Sequence, residues 1–371
     1  MDQQTLNIAI VGCGSIAGPY AKTLRPYSQL KLLGATSRTL KRAEDFVATF
    51  GGKVYPSLEA ILADDAVDLV INLTIHHAHV DVITQCLNAG KDVYSEKPIA
   101  LTSEEAWELV ALAEEKGRRF GCAPITMLGE AQQTAWKAIR EGMLGTVRVA
   151  YAEVNWGRVE VWHPSPAPFY DVGPLFDVAV YPLTILTTIF GPARSVTAFG
   201  KVLYPDRVSK DGVPFHITTP DFSIAAIEFA DGVVARLTTN FYVGFHSKQR
   251  GIEFHGDKGS LYLSNWHDFN GMVEYADFAS LPPAGDPYKP IPFVKEPYAG
   301  KTGDPLSNVE WSRGILDMAE AMQENRPQRI TAAQAAHVVD IVRGIQEASR
   351  EGRRVEITSK FPLPTPIEWA I

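Results

Sequence analysis

Cysteine is scarce in this chain. There are three, Cys13, Cys86 and Cys122, and no two form a C-x-x-C pair. No disulfide framework is expected, which fits a reducing cytoplasm. No apolar run reaches the roughly 18 residues that a membrane-spanning helix needs. The first strand pattern opens about six residues in, so no signal peptide is expected and the expected location is cytoplasmic. Positive charge is in deficit, with 35 Lys and Arg against 43 Asp and Glu and a net charge of −8. Nucleic acid and anionic membrane surfaces are therefore not expected as partners, and any phosphate recognition must be local. Internal repeats and low-complexity tracts are also missing. What is present is an apolar fraction of 46% over 371 residues, enough for two domains with sizeable cores.

From residue 7 the chain reads NIAIVGCGSIA. Residues 8–12 predict a buried strand, broken at Gly12-Cys13-Gly14, with a helix starting near Ser15. The pattern is G-x-G-x-x-A, a strand–turn–helix that cradles a dinucleotide pyrophosphate. Gly12 permits the tight turn, Gly14 lets the backbone approach the phosphates, and Ala17 lets helix and strand pack closely. The bare helix start offers the amides of Ser15 and Ile16 to an anion.

Strand patterns over 30–37, 54–55, 68–74, 92–95 and 119–123 alternate with helices over 40–50 and 79–89 and one capped by Thr102. Glu105 completes a capping box there, and Ala106, Leu109, Val110 and Ala113 form the buried stripe. This predicts an α/β Rossmann domain, a doubly wound parallel sheet ending near Pro124, and hence domains 1–124 and 125–371. At the end of the second strand a carboxylate would hold the ribose 2′-hydroxyl of NAD. None stands there; Ser37 and Arg38 do, with Lys41 and Arg42 a turn further on. Ser37, Arg38 and Arg42 therefore favour NADP(H), with NAD(H) and a merely solvated helix start as the alternative.

The run Thr74-Ile75-His76-His77-Ala78-His79 holds three histidines at a strand's carboxyl end. No Asp, Glu or Cys cluster accompanies them, so no metal is expected. Thr74, His76 and His79 are read as lining the nicotinamide half of the cleft. The fifth strand ends in VYSEKP, residues 93–98. Glu96 and Lys97 fall at the carboxyl edge, where ligands bind, and Pro98 keeps Lys97 out of helical geometry. A lysine so placed can work as an acid or base; a surface lysine beside Glu96 is the plain alternative.

GCGSIA, EKP and a later Asp177 with Tyr181 together resemble the Gfo/Idh/MocA oxidoreductases, the glucose–fructose oxidoreductase and inositol dehydrogenase group, over nearly the whole chain. The resemblance implies that Lys97, in the place of the EKP lysine, is catalytic. Thr74 and His79 match the family's T-P-x-x-x-H stretch, with Ile75 in place of proline. Residues 171–184, DVGPLFDVAVYPLT, resemble its G-G-G-x-L-x-D-x-G-x-H-x-x-D. Gly173, Leu175 and Asp177 match; Ala179, Tyr181 and Thr184 replace a glycine, the histidine and the last aspartate. A tyrosine there is similar to the glucose–fructose oxidoreductase and dihydrodiol dehydrogenase branches. Asp177 and Tyr181 are also i,i+4, which predicts one shared helix face; a core tyrosine with a satisfied hydroxyl is the alternative for Tyr181.

In the second half, a helix is predicted over 129–142 and a strand over 146–156. Residues 157–172 gather Trp162, His163 and Tyr170 among prolines. Rings with hydrogen-bonding tips suit a sugar, and a stiff surface loop is the alternative. Strand patterns over 195–202, 222–229, 233–242, 252–255, 260–264 and 272–275 predict an α+β domain. Its sheet should be large, open and mostly antiparallel, with turns at Asp231-Gly232 and 256–259 and helices on one face. The Pro- and Gly-rich stretch 281–305 reads as a long arm or lid, and helices follow over 308–323 and 332–349. In the resembled family the other sheet face pairs with a second subunit, which implies a homodimer or homotetramer. The reading is an NAD(P)-dependent oxidoreductase moving a hydride between nicotinamide and a hydroxyl-bearing carbon of a sugar or polyol. Lys97 and Tyr181 handle the proton, Asp177 orients the substrate, and Trp162, His163 and Tyr170 are further contacts. The resemblance also admits an NAD-dependent glycoside hydrolase working through transient oxidation, a trans-dihydrodiol dehydrogenase, or a non-catalytic nucleotide-sensing regulator.

Overall fold

Short apolar segments near the N-terminus build the first sheet. In the computed structural model, which describes residues 5–244, 246–280, 286–299 and 308–371, they are β1 (Leu6–Val11), β2 (Leu30–Thr36), β3 (Lys53–Val54), β4 (Leu69–Asn72), β5 (Asp92–Ser95) and β6 (Phe120–Cys122). Among the described residues they pair in the order β3-β2-β1-β4-β5-β6. Every neighbouring pair is parallel. This is the doubly wound order with its switch between β1 and β4, where the loops after those two strands diverge at the carboxyl edge. Helices α1 (Ala17–Leu24), α2 (Leu40–Phe50), α3 (Leu58–Leu62), α4 (His79–Asn88) and α5 (Ser103–Glu115) make the crossovers. At α5 the Thr102 hydroxyl oxygen accepts from the Glu105 amide at 3.2 Å and donates to the Glu105 carboxylate at 2.8 Å. The helix buries Ala106, Leu109, Val110 and Ala113, the stripe that the spacing predicted. The five-residue α3, started by Ser57, is too short for periodicity to reveal.

The chain divides into two compact units, Met1–Leu128 with Ala299–Val339, and Gly129–Tyr298 with Asp340–Ile371. The expected split at residue 124 is corrected in one respect: residues 308–339 belong with the first unit. There α9 (Arg313–Gln323) covers the edge strand β6. Arg119 donates to the carbonyls of Arg326 (3.0 Å) and Ala321 (3.2 Å), and Arg313 to that of Leu128 (2.8 Å). A return over so many residues leaves no local pattern in the sequence.

The second unit is built on β7 (Val147–Asn155), β8 (Ala193–Lys201), β11 (Phe222–Phe229), β12 (Val234–Asn240), β13 (Gly251–Gly256), β14 (Gly259–Leu263), β15 (Val273–Asp277), β16 (Lys289–Pro290) and β17 (Val355–Glu356). Among the described residues these form one sheet in the order β16-β15-β14-β13-β7-β12-β11-β8-β17. Only β7 and β12 pair parallel. Asp231-Gly232 closes the β11–β12 hairpin and residues 256–259 join β13 to β14, as predicted. A separate ribbon, β9 (Asp206–Val208) with β10 (Pro214–His216), has strands too short to show alternation. Along β11 Ser223, Ala225, Ile227 and Phe229 are buried while Ile224 and Ala226 are exposed, so one face meets the core. Helices α6 (Glu130–Arg140), α7 (Ala167–Asp177) and α8 (Val180–Phe190) belong to this unit, and α10 (Ala332–Glu351) ends in it. The stretch Ala167–Phe190 is long and apolar enough to cross a membrane by composition, yet 89% of its most apolar window is buried inside the protein. Of the arm read over 281–305, residues 286–298 are stitched to this unit by Val294 N on Thr134 Oγ1 (3.1 Å) and by paired bonds between Asn270 and Tyr298. Residues 281–285 and 300–305 lie outside the described residues.

Candidate active site

At the first unit's carboxyl edge, β1 is followed by Gly12, whose φ of +101° favours glycine. A Cβ there would sit 2.5 Å from the Leu73 carbonyl oxygen, so the turns after β1 and β4 touch through this residue. A Cβ on Gly14, by contrast, would meet nothing within 4 Å. That open space lies beside the start of α1, which has no side-chain cap and no acid in its first turn. Within its first turn the Ala17 amide donates to the Gly14 carbonyl (3.2 Å) and Pro19 has no N–H, so the Ser15–Ile16 turn and Gly18 supply the amides that fit the pyrophosphate of a dinucleotide. A cleft of about 470 Å³ runs between Gly14, Ser15 and Gly18 on one side and Arg42, Phe46 and Phe50 on the other. Cys13 also borders it, but burial lifts its thiol to about 11, so it stays protonated and unreactive at neutral pH. Arg38 and Arg42 are exposed, whereas Lys41 is committed to Asp45 at 2.7 Å.

The loops after β4 and β5 are pinned by residues that sequence reasoning missed. Asn72 Oδ1 accepts from the Thr74 hydroxyl (2.6 Å) and amide (3.2 Å), and its Nδ2 donates to Ser95 Oγ (3.2 Å). Two candidate cofactor contacts prove to be struts instead. Glu96 is buried, accepting from the Tyr20 hydroxyl of α1 at 2.8 Å and from the Lys97 amide at 3.1 Å. His79 is 1% exposed, its ring nitrogens facing the carbonyls of Pro98 (2.6 Å) and Thr74 (3.1 Å). Burial holds its imidazole below the ordinary value. Neutral, it donates to one of these carbonyls and packs against the other, between the loop after Lys97 and the loop after β4, with both ring nitrogens facing protein. His76 is half-buried and its ring meets that of His77, centroids 4.2 Å apart. Among the described residues no three His, Cys, Asp or Glu side chains are grouped to hold a metal. Lys97 is half-buried on a loop fixed on both sides, by Glu96 and by the Pro98 carbonyl.

In the second unit the predicted single helix through Asp177 and Tyr181 is corrected. Gly173 (φ +72°) and Pro174 break α7. The Pro174 carbonyl accepts from both Val178 (3.1 Å) and Ala179 (2.9 Å), a π-type widening that ends the helix. Asp177 is thus the last residue of α7 and Tyr181 lies in the first turn of α8, off a simple i,i+4 line. The Tyr181 ring packs 5.5 Å from Trp266 and 5.1 Å from His267, and Trp156 lies 5.7 Å from Trp266. Neither tryptophan nor His267 was singled out from the sequence, since they come from the residue after β7 and the turn after β14. Trp162, His163 and Phe169 do come together, with centroids 4.7 to 6.1 Å apart, and Trp162 is 45% exposed.

Tyr170, expected to face substrate, is instead buried in an ionic cluster. Arg207, with no exposed side-chain surface, donates to Glu160 and to the Tyr170 oxygen at 2.8 Å each and also pairs with Asp221. Tyr170 in turn donates to Glu160. Burial and that bond push its phenol well above the ordinary value, so it remains a proton donor to the carboxylate. The cluster fastens the 157–170 loop to β9.

The chain is 27% identical to a bovine trans-1,2-dihydrobenzene-1,2-diol dehydrogenase over 75% of its length and 81% of that protein's. It is 25% identical to a scyllo-inositol 2-dehydrogenase (NADP(+)) of Bacillus subtilis (strain 168) over 95% and 96% of the two chains. An aldose-aldose oxidoreductase of Caulobacter crescentus, solved with glycerol, shares the fold with a TM-score of 0.79 at 19% identity, over 95% of this chain and all of that one. Residues 6–123 match the family model for oxidoreductases with an NAD-binding Rossmann fold, and 132–262 match the GFO/IDH/MocA C-terminal domain. With matches in both halves, the chain belongs to the GFO/IDH/MocA family of NAD-binding oxidoreductases.

Proposed function

We propose that this oxidoreductase is an NADP(H)-preferring dehydrogenase of a sugar or polyol. Lys97 and Tyr181 handle the hydroxyl proton and Asp177 orients the substrate. The observation that carries the reading is the uncapped α1 start beside the open Gly14 position, with Lys97 on a fixed loop at the same sheet edge. A bound dinucleotide supplies the hydride acceptor or donor. Lys97 and Tyr181 hold or take the proton of the reacting hydroxyl. Trp162, His163 and Phe169 give an apolar face on which a sugar ring can lie. The names of the bovine and bacterial relatives, a diol and an inositol dehydrogenase, support a vicinal hydroxyl substrate. The same three rings also favour an aryl dihydrodiol as a second reading. Exposed Phe199, Ile224 and Val234 on the open sheet face support a homodimer or homotetramer through that face.

Cofactor choice rests on α2. Its first turn carries Lys41 and Arg42 and no acid, although a helix start disfavours cations. A 2′-phosphate would offset that. Direct titration is expected to give tighter binding of NADP+ than of NAD+. An Arg38→Ala, Arg42→Ala double variant should lose about 10- to 100-fold in NADP+ affinity while NAD+ changes by no more than about twofold. Tighter NAD+ binding by the wild type would overturn the preference. The function itself is tested by offering NADP+ with a panel of aldoses, polyols and trans-dihydrodiols and following nicotinamide absorbance. Release of free sugar from glycosides with no net absorbance change would contradict it.

A further inference from the structure

The Tyr181 ring has an imidazole among its neighbours. His267 sits 5.1 Å from that ring at 57°, half-buried between it and Trp156, whose centroid is 6.4 Å away. Its position is not left to a loose loop. Asn265 Oδ1 accepts from the amides of His267 (2.8 Å) and Asp268 (3.2 Å), closing a tight turn. Gln132 of α6 donates to the carbonyls of Asn265 (3.3 Å) and Asp268 (3.0 Å). Trp266 Nε1 donates to the Glu153 carbonyl of β7 at 3.2 Å. The next residue in the turn, Phe269, is fully buried, and its carbonyl accepts from Ala131 at 2.9 Å. These contacts from α6 and β7 hold the imidazole ring beside the Tyr181 ring, a titratable neighbour of the kind that serves as a proton partner.

We propose that His267 is the proton partner of Tyr181. The proposal rests on Tyr181 being the group that meets the substrate hydroxyl. In alcohol oxidation the substrate O–H bond breaks and its proton goes to the Tyr181 oxygen. The phenol's own proton leaves for a neutral His267 nitrogen, and from there goes to solvent. The hydride goes to the nicotinamide, as in the activity above. In the reducing direction the imidazolium returns the proton by the same route. His267 acts through Tyr181 and is a positioning residue, not one that touches substrate. Other titratable or charged groups on the elements around it are Asp268 on its own turn, Glu130, Lys137 and Arg140 on α6, Arg148, Tyr151 and Glu153 on β7, and Asp177 at the end of α7. Glu153 is engaged by Arg236 at 2.6 Å. Burial raises the Glu153 carboxyl above its ordinary value.

The test is NMR of the full-length protein with ring-labelled tyrosine, the Tyr181 signal identified by its loss in Tyr181→Phe. In the wild type that signal should move with a midpoint in the imidazole range, about pH 6 to 7. The movement should vanish in both His267→Phe, which keeps a ring in the turn, and His267→Gln, which keeps a polar head. A flat signal in the wild type, or a midpoint that survives both variants, overturns the proposal. This readout needs no substrate. Should the wild type oxidise none of the alcohols offered, the functional reading falls while the pairing stands or falls on the NMR alone. With an active substrate, kcat/KM for oxidation should drop in the wild type as pH falls through the same midpoint. In the variants that bend should disappear; a purely structural role would lower the whole profile and keep its shape.

Discussion

Replacing Lys97 with methionine is expected to lower kcat by about 10²- to 10⁴-fold, the usual contribution of a positioned acid or base. NADP+ affinity should stay within about twofold, because the residues that fit the dinucleotide sit on other loops. Methionine keeps the length and the apolar stem and removes the ammonium. The expectation depends on how the loop is held. Glu96 accepts from the Lys97 amide (3.1 Å) and from Tyr20 (2.8 Å), and His79 reaches the Pro98 carbonyl (2.6 Å). Those bonds are made by the backbone and by neighbours, so the variant keeps the loop and isolates the amine. Stopped-flow turnover alongside equilibrium cofactor titration separates the two quantities. Near-normal turnover would remove Lys97 from the chemistry.

Arg207→Met should destabilise the second unit by about 3–5 kcal/mol, the cost of leaving a buried charge pair half-broken. The guanidinium answers both Glu160 and Asp221, and all three side chains are almost wholly buried. Its carbon also lies 4.4 Å from the centre of the Tyr170 ring. Burial alone would raise the Glu160 carboxyl. The bonds from Tyr170 and Arg158 and the charge of Arg207 outweigh it and hold the carboxyl below its ordinary 4.5. A depressed carboxyl contributes stability above its unfolded value and loses it as pH falls through the folded one. In the variant the same carboxylate is buried without its cation and gains from protonation. The gap between wild type and variant is therefore widest near neutrality and narrows as pH falls below about 4.5. Thermal melts across that range read it directly; a constant gap would mean that packing, not charge, dominates the cluster.

Much of this molecule is written locally. GCGSIA carries its own turn and helix start, and Thr102 with Glu105 marks α5 to the residue. Alternation gives most strands of both sheets because each buries one face or lies wholly inside. What is not local is missing from such a reading. Nothing near Arg207 in the sequence says that it will find Glu160 and Asp221, and nothing near Tyr20 points to Glu96. His79 looks like a ligand-facing residue because it follows a strand's carboxyl end. Only the fold shows its nitrogens facing two carbonyls. Spacing also misleads where a helix changes pitch: Asp177 and Tyr181 count as i,i+4, yet the Pro174 carbonyl's bonds to Val178 and Ala179 end α7 at Asp177, before α8 begins. His267 belongs to the same class, since it reaches Tyr181 from the turn between β14 and β15, far along the chain.

The central claim is that the amine of Lys97 and the phenol of Tyr181 serve one reacting oxygen. A crystal structure of the enzyme with NADP+ and an oxidisable alcohol tests it most directly. Lys97 Nζ and Tyr181 Oη are predicted to lie within hydrogen-bonding distance of the same substrate oxygen, beside the nicotinamide ring. Finding either group on the far side of the bound nicotinamide, or hydrogen-bonded only to protein, would contradict the account.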